Sequence, residues 1–596
     1  MVREQITALR KEMKRAEITA YLVPTSDFHG SEYVGEYFQC RAFLSGFTGS
    51  AGTLVVMQDM AGLWTDGRYF LQAKEQLKGS GIELFQMEQE GVPTVVEFLA
   101  DRLEKGDCLG FDGRVVNAEQ AEEISEKLEK KGALVCSKMD LVDLIWKNRP
   151  LLSKEAVMVL DLKYAGVSRE EKIAAIRQKM KEEGADYFLL TSLDDIAWLL
   201  NIRGNDVKCN PVVLSYLVMT KDQVLLFANL EVFSKEVEEE LLQAGVWIRT
   251  YQEFYTFVQE IPEKMTVLLD KKRVNFAVVK SLSDGVNRID KTNLTLLPKA
   301  IKNQTERENI KKAHQKDGAA VVKFIHWLKT QVSKERITEL SAAKKLEEFR
   351  GEQEHYMGPS FSPIIGYGAH GAIIHYSATE ESDCQIEPKG LVLLDTGGQY
   401  LEGTTDITRT VALGALTEEE KKYFTLVLKG NLNLGAAKFL YGCRGINLDY
   451  LARAPLWELG LDYQHGTGHG VGYFLNVHEV PNGFRYKWIP KKGESAVLEE
   501  GMLTSNEPGF YLEGKFGIRH ENLILCVKDE KNGYGQFMRF ETVTMVPFDR
   551  DAIVKELLTD RERQILNQYH RVVYQTISPY LEGAEKEWLS WATQEI

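Results

Sequence analysis

The chain has 596 residues, 44% hydrophobic and 27% charged, with a formal net charge of −14. That length exceeds one ordinary domain and predicts three or four. The negative balance, with no basic run beyond short groups such as Lys271-Lys272-Arg273, excludes a nucleic-acid-binding surface, and no apolar run reaches the ~18–20 residues that span a bilayer.

The chain begins MVREQITALRKEMKRAE, charged and helical, without the apolar core of a signal peptide. Seven cysteines (Cys40, Cys108, Cys136, Cys209, Cys384, Cys443 and Cys526) are dispersed and never spaced C-x-x-C. They argue against a disulfide framework or a structural zinc site, and for the cytoplasm. The next elements repeat. ITALRKEMKRAEITAYLVPTSD (6–27) resembles IAAIRQKMKEEGADYFLLTSLDD (173–195), a helix running into an apolar strand. LWTDGRYFLQAKEQLKGSGIELFQ (63–86) parallels VLLFANLEVFSKEVEEELLQAGVWIRTYQ (224–252), strand, helix, strand. Two copies are too few for a solenoid and predict a duplicated α/β domain over 1–155 and 156–300. The glycine-rich GFTGSAGT (46–53) lacks the G-K-[ST] ending of a phosphate-binding loop and reads as a tight turn.

A third region, 301–596, opens with a long helical period over 302–332, where Thr305 and Glu308 form a candidate capping box, and a second helix over 338–352. Glycine-rich β signals follow, and from about 548 a helical extension ends EKEWLSWATQEI, either an oligomer contact or packed on its own domain. Seven of the eleven histidines lie between His355 and His520.

Two hairpins there each carry two acids. In GLVLLDTGGQYLEGTTDITRTVAL (390–413), folding about 400–401 sets Asp395 opposite Asp406. In GMLTSNEPGFYLEGKFGIRHENLILCV (501–527), the midpoint of Glu507 and Glu521 falls on Gly514, with Arg519 opposite Gly509 on the face of Glu521 and His520 on the other face. Opposed carboxylates repel unless a cation lies between them. HGTGHGVG (465–472) places His465 and His469 four apart, the spacing of a helical metal clamp, but four glycines oppose a helix. Asp395, Asp406, His469, Glu507 and Glu521 thus form a four-oxygen, one-nitrogen group of ligands, too many for one zinc and suited to two divalent ions ~3.5–4 Å apart. Hard oxygen donors favour manganese or magnesium, with cobalt, iron or zinc open. On spacing alone, a dinuclear site and solvated acids stand as alternatives.

The order D…D…H…E…E, carried by LLDTGGQY, GTTDITRT, HGTGHGVG, SNEPGFY and IRHEN, resembles the dinuclear metallopeptidases of the pita-bread fold, and among them the Xaa-Pro aminopeptidases. FLSGFTGSAGTLVV (43–56), SLDDIAWLLNIRG (192–204) and RFETVTMVPFDRDAI (539–553) extend the resemblance to the long three-domain form over essentially the whole chain. It implies an α/β (α+β) fold: two creatinase-like α/β domains followed by a pita-bread catalytic domain. It implies peptide substrates with proline at the second position, two Mn2+ ions, and a homodimer or larger homo-oligomer. The four acids and His469 match the five metal ligands, with Asp406 and Glu521 bridging. His375, His465 and His478 match histidines near the scissile bond, and Tyr511 and Arg519 line the substrate pocket. Of His375 and His478, one would stabilise the oxyanion that develops on the scissile carbonyl and the other would hold the proline carbonyl, and Glu507 would shuttle the proton. His465 would face the substrate, not the metal. The competing readings are a prolidase acting on dipeptides and a non-catalytic peptide-binding relative. His370 is expected to be merely exposed, His520 structural, and His314, His326 and His355 helix-surface or packing residues. Cys384 and Cys443 have no neighbouring base to make them nucleophiles.

Overall fold

The computed structural model describes residues 2–489, 493 and 495–596. The chain divides into two compact units, Met1–Asp161 with Val167–Leu296, and Leu162–Gly166 with Leu297–Ile596.

The first unit holds two six-stranded sheets with one topology. In the first, the strands lie in the order Glu83–Gln86, Ala61–Thr65, Thr53–Met57, Ala20–Pro24, Cys108–Gly110, Leu134–Cys136. The second runs Val246–Thr250, Val224–Ala228, Ser215–Thr220, Tyr187–Leu190, Thr266–Leu269, Asn287–Asp290. In both, an antiparallel meander of three strands continues into parallel strands on either side. The sequence repeat is thus a repeat of fold. Alternation sets the core: Tyr21 and Val23 pack with the helix Val2–Arg15 on one face, while Ala20 and Leu22 pack with the helices Val95–Arg102 and Ala118–Glu129 on the other. The 46–53 turn wraps the buried guanidinium of Arg41, which donates to the carbonyls of Phe47 and Gly49.

The second unit lays helices Gln304–Gln331, Glu339–Gly351, Glu418–Gly435 and Gly445–Trp457 with antiparallel sheets. The capping box of the first helix is Asn303 with Glu306, not Thr305 with Glu308. Asn is as good an N-cap as Thr, and the Asn303 amide also donates to Ala165 O at 2.8 Å, so a tertiary contact fixes the helix start two residues earlier. Asp317 and Arg350 tie the first two helices by a buried ion pair of 2.7 Å, and Arg350 also donates to Thr396 Oγ1 and Gly397 O, both at 3.1 Å. That clamp holds the end of the strand bearing Asp395. The C-terminal helix Gly583–Ala592 packs on its own unit: Leu589 is buried with Phe324 and Leu328, Trp588 lies against the same cluster, and Trp591 is exposed.

Glu479, beside His478, accepts from Lys299 Nζ at 2.8 Å and from Lys302 Nζ, with all three side chains buried. Breaking a buried ion group by removing one partner costs about 3–5 kcal/mol. Chemical denaturation should therefore show Glu479→Ala destabilised by that amount, since two buried ammonium groups lose their shared anion.

Candidate metal centre

The acids are delivered by the two hairpins. In the first, Asp395 faces Thr408 and Thr396 faces Ile407, and the inner pair Tyr400–Gly403 puts the turn at 401–402. The expected direct opposition of Asp395 and Asp406 is therefore wrong by one side-chain repeat, and Asp406 is the diagonal neighbour on the same face. Diagonal neighbours stand ~7–8 Å apart rather than ~4.5–5.5 Å, which eases repulsion and leaves room between them. Gly397, outside this turn, permits close packing of the hairpin, because a Cβ there would lie 2.1 Å from Ser360 Oγ and 2.2 Å from Thr405 O.

The second hairpin has the expected register. Leu503–Asn506 pairs with Asn522–Asn532, and Gly509–Leu512 with Phe516–Arg519, both ladders centred on Gly514 at φ 72°. Gly509 faces Arg519, and the space its missing Cβ leaves is taken by the Tyr511 hydroxyl, 2.4 Å from the position a Cβ would occupy.

His465 and His469 are not on a helix. Gly468–Gly470 is a strand between Leu503–Asn506 and Glu479–Phe484. A Cβ on Gly468 would fall 1.9 Å from Ser505 O, and one on Gly470 2.4 Å from Glu479 O. The glycines exist for close backbone approach. Gly468→Ala should cost about 1–3 kcal/mol by overpacking and, by pushing His469 off its neighbours, weaken divalent-metal affinity measured by calorimetry.

Ligand atoms of Asp406, His469 and Glu521 lie within 4.8 Å of one another. His469 Nε2 is 3.5 Å from Asp406 Oδ2 and 3.5 Å from Glu507 Oε1. Its Nδ1 hydrogen-bonds Gly470 O at 2.9 Å, which places the proton there and leaves the Nε2 lone pair toward the acids. Arg519 pairs with Asp395 Oδ2, while Asp395 Oδ1 and Glu521 Oε1 are buried with no hydrogen-bond donor among the described residues. Buried carboxylate oxygens without donors are costly unless a cation meets them. Oxygen-rich donors, one imidazole with its lone pair directed inward, and two orphaned oxygens fit divalent ions. The pKa directions agree. Burial, then the facing carboxylates, hold Asp406 and Glu521 well above the ordinary carboxylate range. Burial also pushes Glu507 up to about 7, against the opposing pull of Arg519.

These raised carboxyls make a prediction for chelator-treated protein. A group whose folded pKa is raised stabilises below its unfolded pKa and loses that contribution as pH rises through the folded value. From about 4.5 to about 7, Glu507 alone would remove roughly 3 kcal/mol. Metal-free protein should lose thermal stability across that window, and added divalent ion should restore it, as read by calorimetry.

The other predicted residues surround this cluster. His478 stacks edge-on against His469, with centroids 4.3 Å apart. His465 Nδ1 bonds Gly466 O at 2.7 Å and its Nε2 meets Tyr511 Oη at 2.9 Å. Tyr511 in turn accepts from Arg519 at 2.7 Å. Burial, then Arg519, holds His465 well below the usual imidazole range, so it is neutral. His375 follows the turn Gly368–Ala372, next to Ile374, whose carbonyl accepts from Arg519 at 3.3 Å. Two residues went unread in the sequence: Thr408 donates to Glu521 Oε2 at 2.8 Å, and Ser505 Oγ accepts from His469 N at 2.9 Å. Both sit two residues from an acid, so strand alternation carried the signal.

Among the remaining histidines, His520 is buried between Phe424 and Phe548, away from the acids. His314 bonds Ile310 O within its helix, His326 lies by Trp588, and His355 leaves its helix for a turn at φ 63° and pairs with Glu402. His370 is not merely exposed: its Nδ1 meets Glu339 at 2.9 Å and its ring stacks on Tyr376. Nor is Cys384 without a neighbouring base, since His370 Nδ1 lies 3.6 Å from its Sγ.

Comparison with known proteins agrees with this arrangement. Residues 308–528 match the model of metallopeptidase family M24 and 536–596 that of the C-terminal region of that family. Residues 5–144 and 148–306 each match a creatinase/prolidase N-terminal domain. Aminopeptidase P2 of Arabidopsis thaliana is 39% identical, covering 99% of this chain and 88% of its own. A probable Xaa-Pro aminopeptidase P of Botryotinia fuckeliana is 40% identical over 100% of this chain and 92% of its own. The crystal structure of a Caenorhabditis elegans X-prolyl aminopeptidase, described as a cytosolic enzyme with a di-nuclear active site, superposes with a TM-score of 0.95 at 35% identity, covering 100% of both chains.

Proposed function

The chain belongs to metallopeptidase family M24 and, within it, to the Xaa-Pro aminopeptidase P relatives, and from that premise we propose that it removes the N-terminal residue from peptides with proline in second place. It is a metallo-aminopeptidase built of two creatinase-like α/β domains and a pita-bread domain, which we assign to 1–155, 156–300 and 301–596. The observation that carries the reading is the cluster of buried Asp395, Asp406 and Glu521 and half-buried Glu507, with His469 Nε2 directed into it.

Two divalent ions, assigned as Mn2+ from the oxygen-rich donors, would be held by Asp395, Asp406, His469, Glu507 and Glu521, with Asp406 and Glu521 shared. When bound, they supply Lewis acidity that lowers the pKa of water and offsets charge on the scissile carbonyl. Arg519 holds Asp395 Oδ2 and so leaves Oδ1 free to ligate. Glu507, titrating near neutrality without metal, suits transfer of a proton from the attacking water to the leaving proline nitrogen. Of His375 and His478, one would donate to the scissile carbonyl oxygen, where charge grows in the transition state, and the other would bind the proline carbonyl. The free α-amine is drawn to the carboxylates, which limits cleavage to the first residue. An Xaa-Pro bond offers no N–H. A wall of rings such as Tyr511 and His465 therefore selects it by shape, with Arg519 fixing the Tyr511 hydroxyl.

The discriminating experiment compares Arg-Pro-Pro with Gly-Pro under Mn2+. Release of Arg from the tripeptide supports the aminopeptidase, and cleavage confined to the dipeptide makes the protein a prolidase. We also propose a cytoplasmic location, on seven cysteines of which none forms a disulfide; no helix among the described residues is long and apolar enough to cross a membrane. We also propose a homodimer.

A further inference from the structure

We propose that Glu339, His370 and Cys384 form a second metal site, for a zinc-type divalent ion, separate from the carboxylate centre. Three short elements converge to make it. The strand Ile337–Thr338 pairs with Gln385–Ile386, so Glu339, which follows the first, lies beside Cys384, which precedes the second. Glu339 N donates to Cys384 O at 3.2 Å. The Glu339 carboxylate accepts from Tyr367 N at 2.8 Å, which brings the Gly368–Ala372 turn and its His370 over the same point.

One ligand atom from each residue lies within 4.8 Å of the others. His370 Nδ1 is 2.9 and 3.0 Å from the two Glu339 oxygens and 3.6 Å from Cys384 Sγ. Zinc bonds of ~2.0–2.3 Å to nitrogen, oxygen and sulfur in a tetrahedron set ligand atoms about 3.4–3.6 Å apart. The nitrogen–sulfur edge already has that length, and the carboxylate needs to withdraw by a few tenths of an ångström. Three protein donors leave the fourth position open to water.

Charge points the same way. Glu339 is buried, and among the described residues its one ion-pair partner is His370. A divalent ion supplies the positive charge that this carboxylate otherwise draws from one imidazole. The His370 side chain is 29% exposed, which gives an ion an entry path. Burial and Glu339 push the Cys384 thiol up to about 12, so it is no thiolate nucleophile despite the neighbouring imidazole. It ligates by giving its proton to solvent as the ion binds. One sulfur, one nitrogen and one oxygen select zinc or cobalt over manganese. The site also adjoins the catalytic segment: Tyr376, next to His375, stacks on His370 and donates to Glu339 at 2.7 Å.

The test is spectroscopic and independent of turnover. Cobalt bound by a thiolate gives an intense near-ultraviolet charge-transfer band, and the carboxylate centre contains no sulfur. Chelator-treated full-length protein titrated with Co2+ should develop this band in the wild type, in Asp406→Asn and in Cys443→Ser. Cys384→Ser, with far-ultraviolet circular dichroism unchanged, should lack it. His370→Asn should retain the thiol but bind the band-forming cobalt at least about 10-fold more weakly. Absence of the band in the wild type, its persistence in Cys384→Ser, or unaltered affinity in His370→Asn would overturn the proposal.

Discussion

Asp406→Asn is expected to abolish turnover of an Xaa-Pro peptide while leaving the fold intact. Asp406 is buried, its carboxyl faces His469 and Glu521, and burial with the facing carboxylates raises its pKa. Asparagine keeps the shape and removes the negative charge, so it should be tolerated by the apoprotein or even stabilise it. It cannot bridge two ions. Removing a single oxyanion donor costs about 10²–10³-fold, and losing a shared charged ligand should cost at least that in kcat/KM, with metal content falling in parallel. Retained activity together with full metal content would refute the bridging role.

The second large effect separates the two histidines of HGTGHGVG. His469→Ala removes the Nε2 whose lone pair faces Asp406 and Glu507 and should strip metal and activity together. His465→Ala should keep metal, because both of its ring nitrogens are engaged elsewhere, one by Gly466 O and the other by the Tyr511 hydroxyl. Its loss frees Tyr511 and, through it, Arg519 and Asp395, so a reduction of about 10–100-fold in activity is expected, the usual cost of losing such support. Equal loss of metal in both variants, measured by elemental analysis, would show this division of labour to be mistaken.

The second hairpin was readable from sequence because its symmetry is marked. Gly514 stands midway between Glu507 and Glu521, the turn needs a left-handed residue there, and both ladders follow. The first hairpin departs from the expected register because two of its glycines, Gly397 and Gly398, lie away from the turn apex. Gly397 and Gly398 serve close packing against Ser360 and Tyr356, while the chain reverses at Leu401 and Glu402. The outcome favours the site, since a diagonal pair of aspartates repels less than an opposed one. The duplication of the leading half was legible because strand and helix periods recur in order, and the two sheets share one strand order. The cluster of Glu339, His370 and Cys384 was not legible. Its members come from a helix start, a turn and a strand end, and no local period links residues brought together only by tertiary pairing. The Asn303 cap was missed for a similar reason, since its amide is anchored by Ala165, far away in sequence.

The central claim, that buried carboxylates hold two ions that cleave Xaa-Pro bonds, is tested most directly by back-titrating chelator-treated protein with Mn2+ while following release of Arg from Arg-Pro-Pro. The account predicts no release without metal and activity that saturates at two ions per chain. Full activity in the metal-free protein, or no release of arginine at any Mn2+ occupancy, would contradict it.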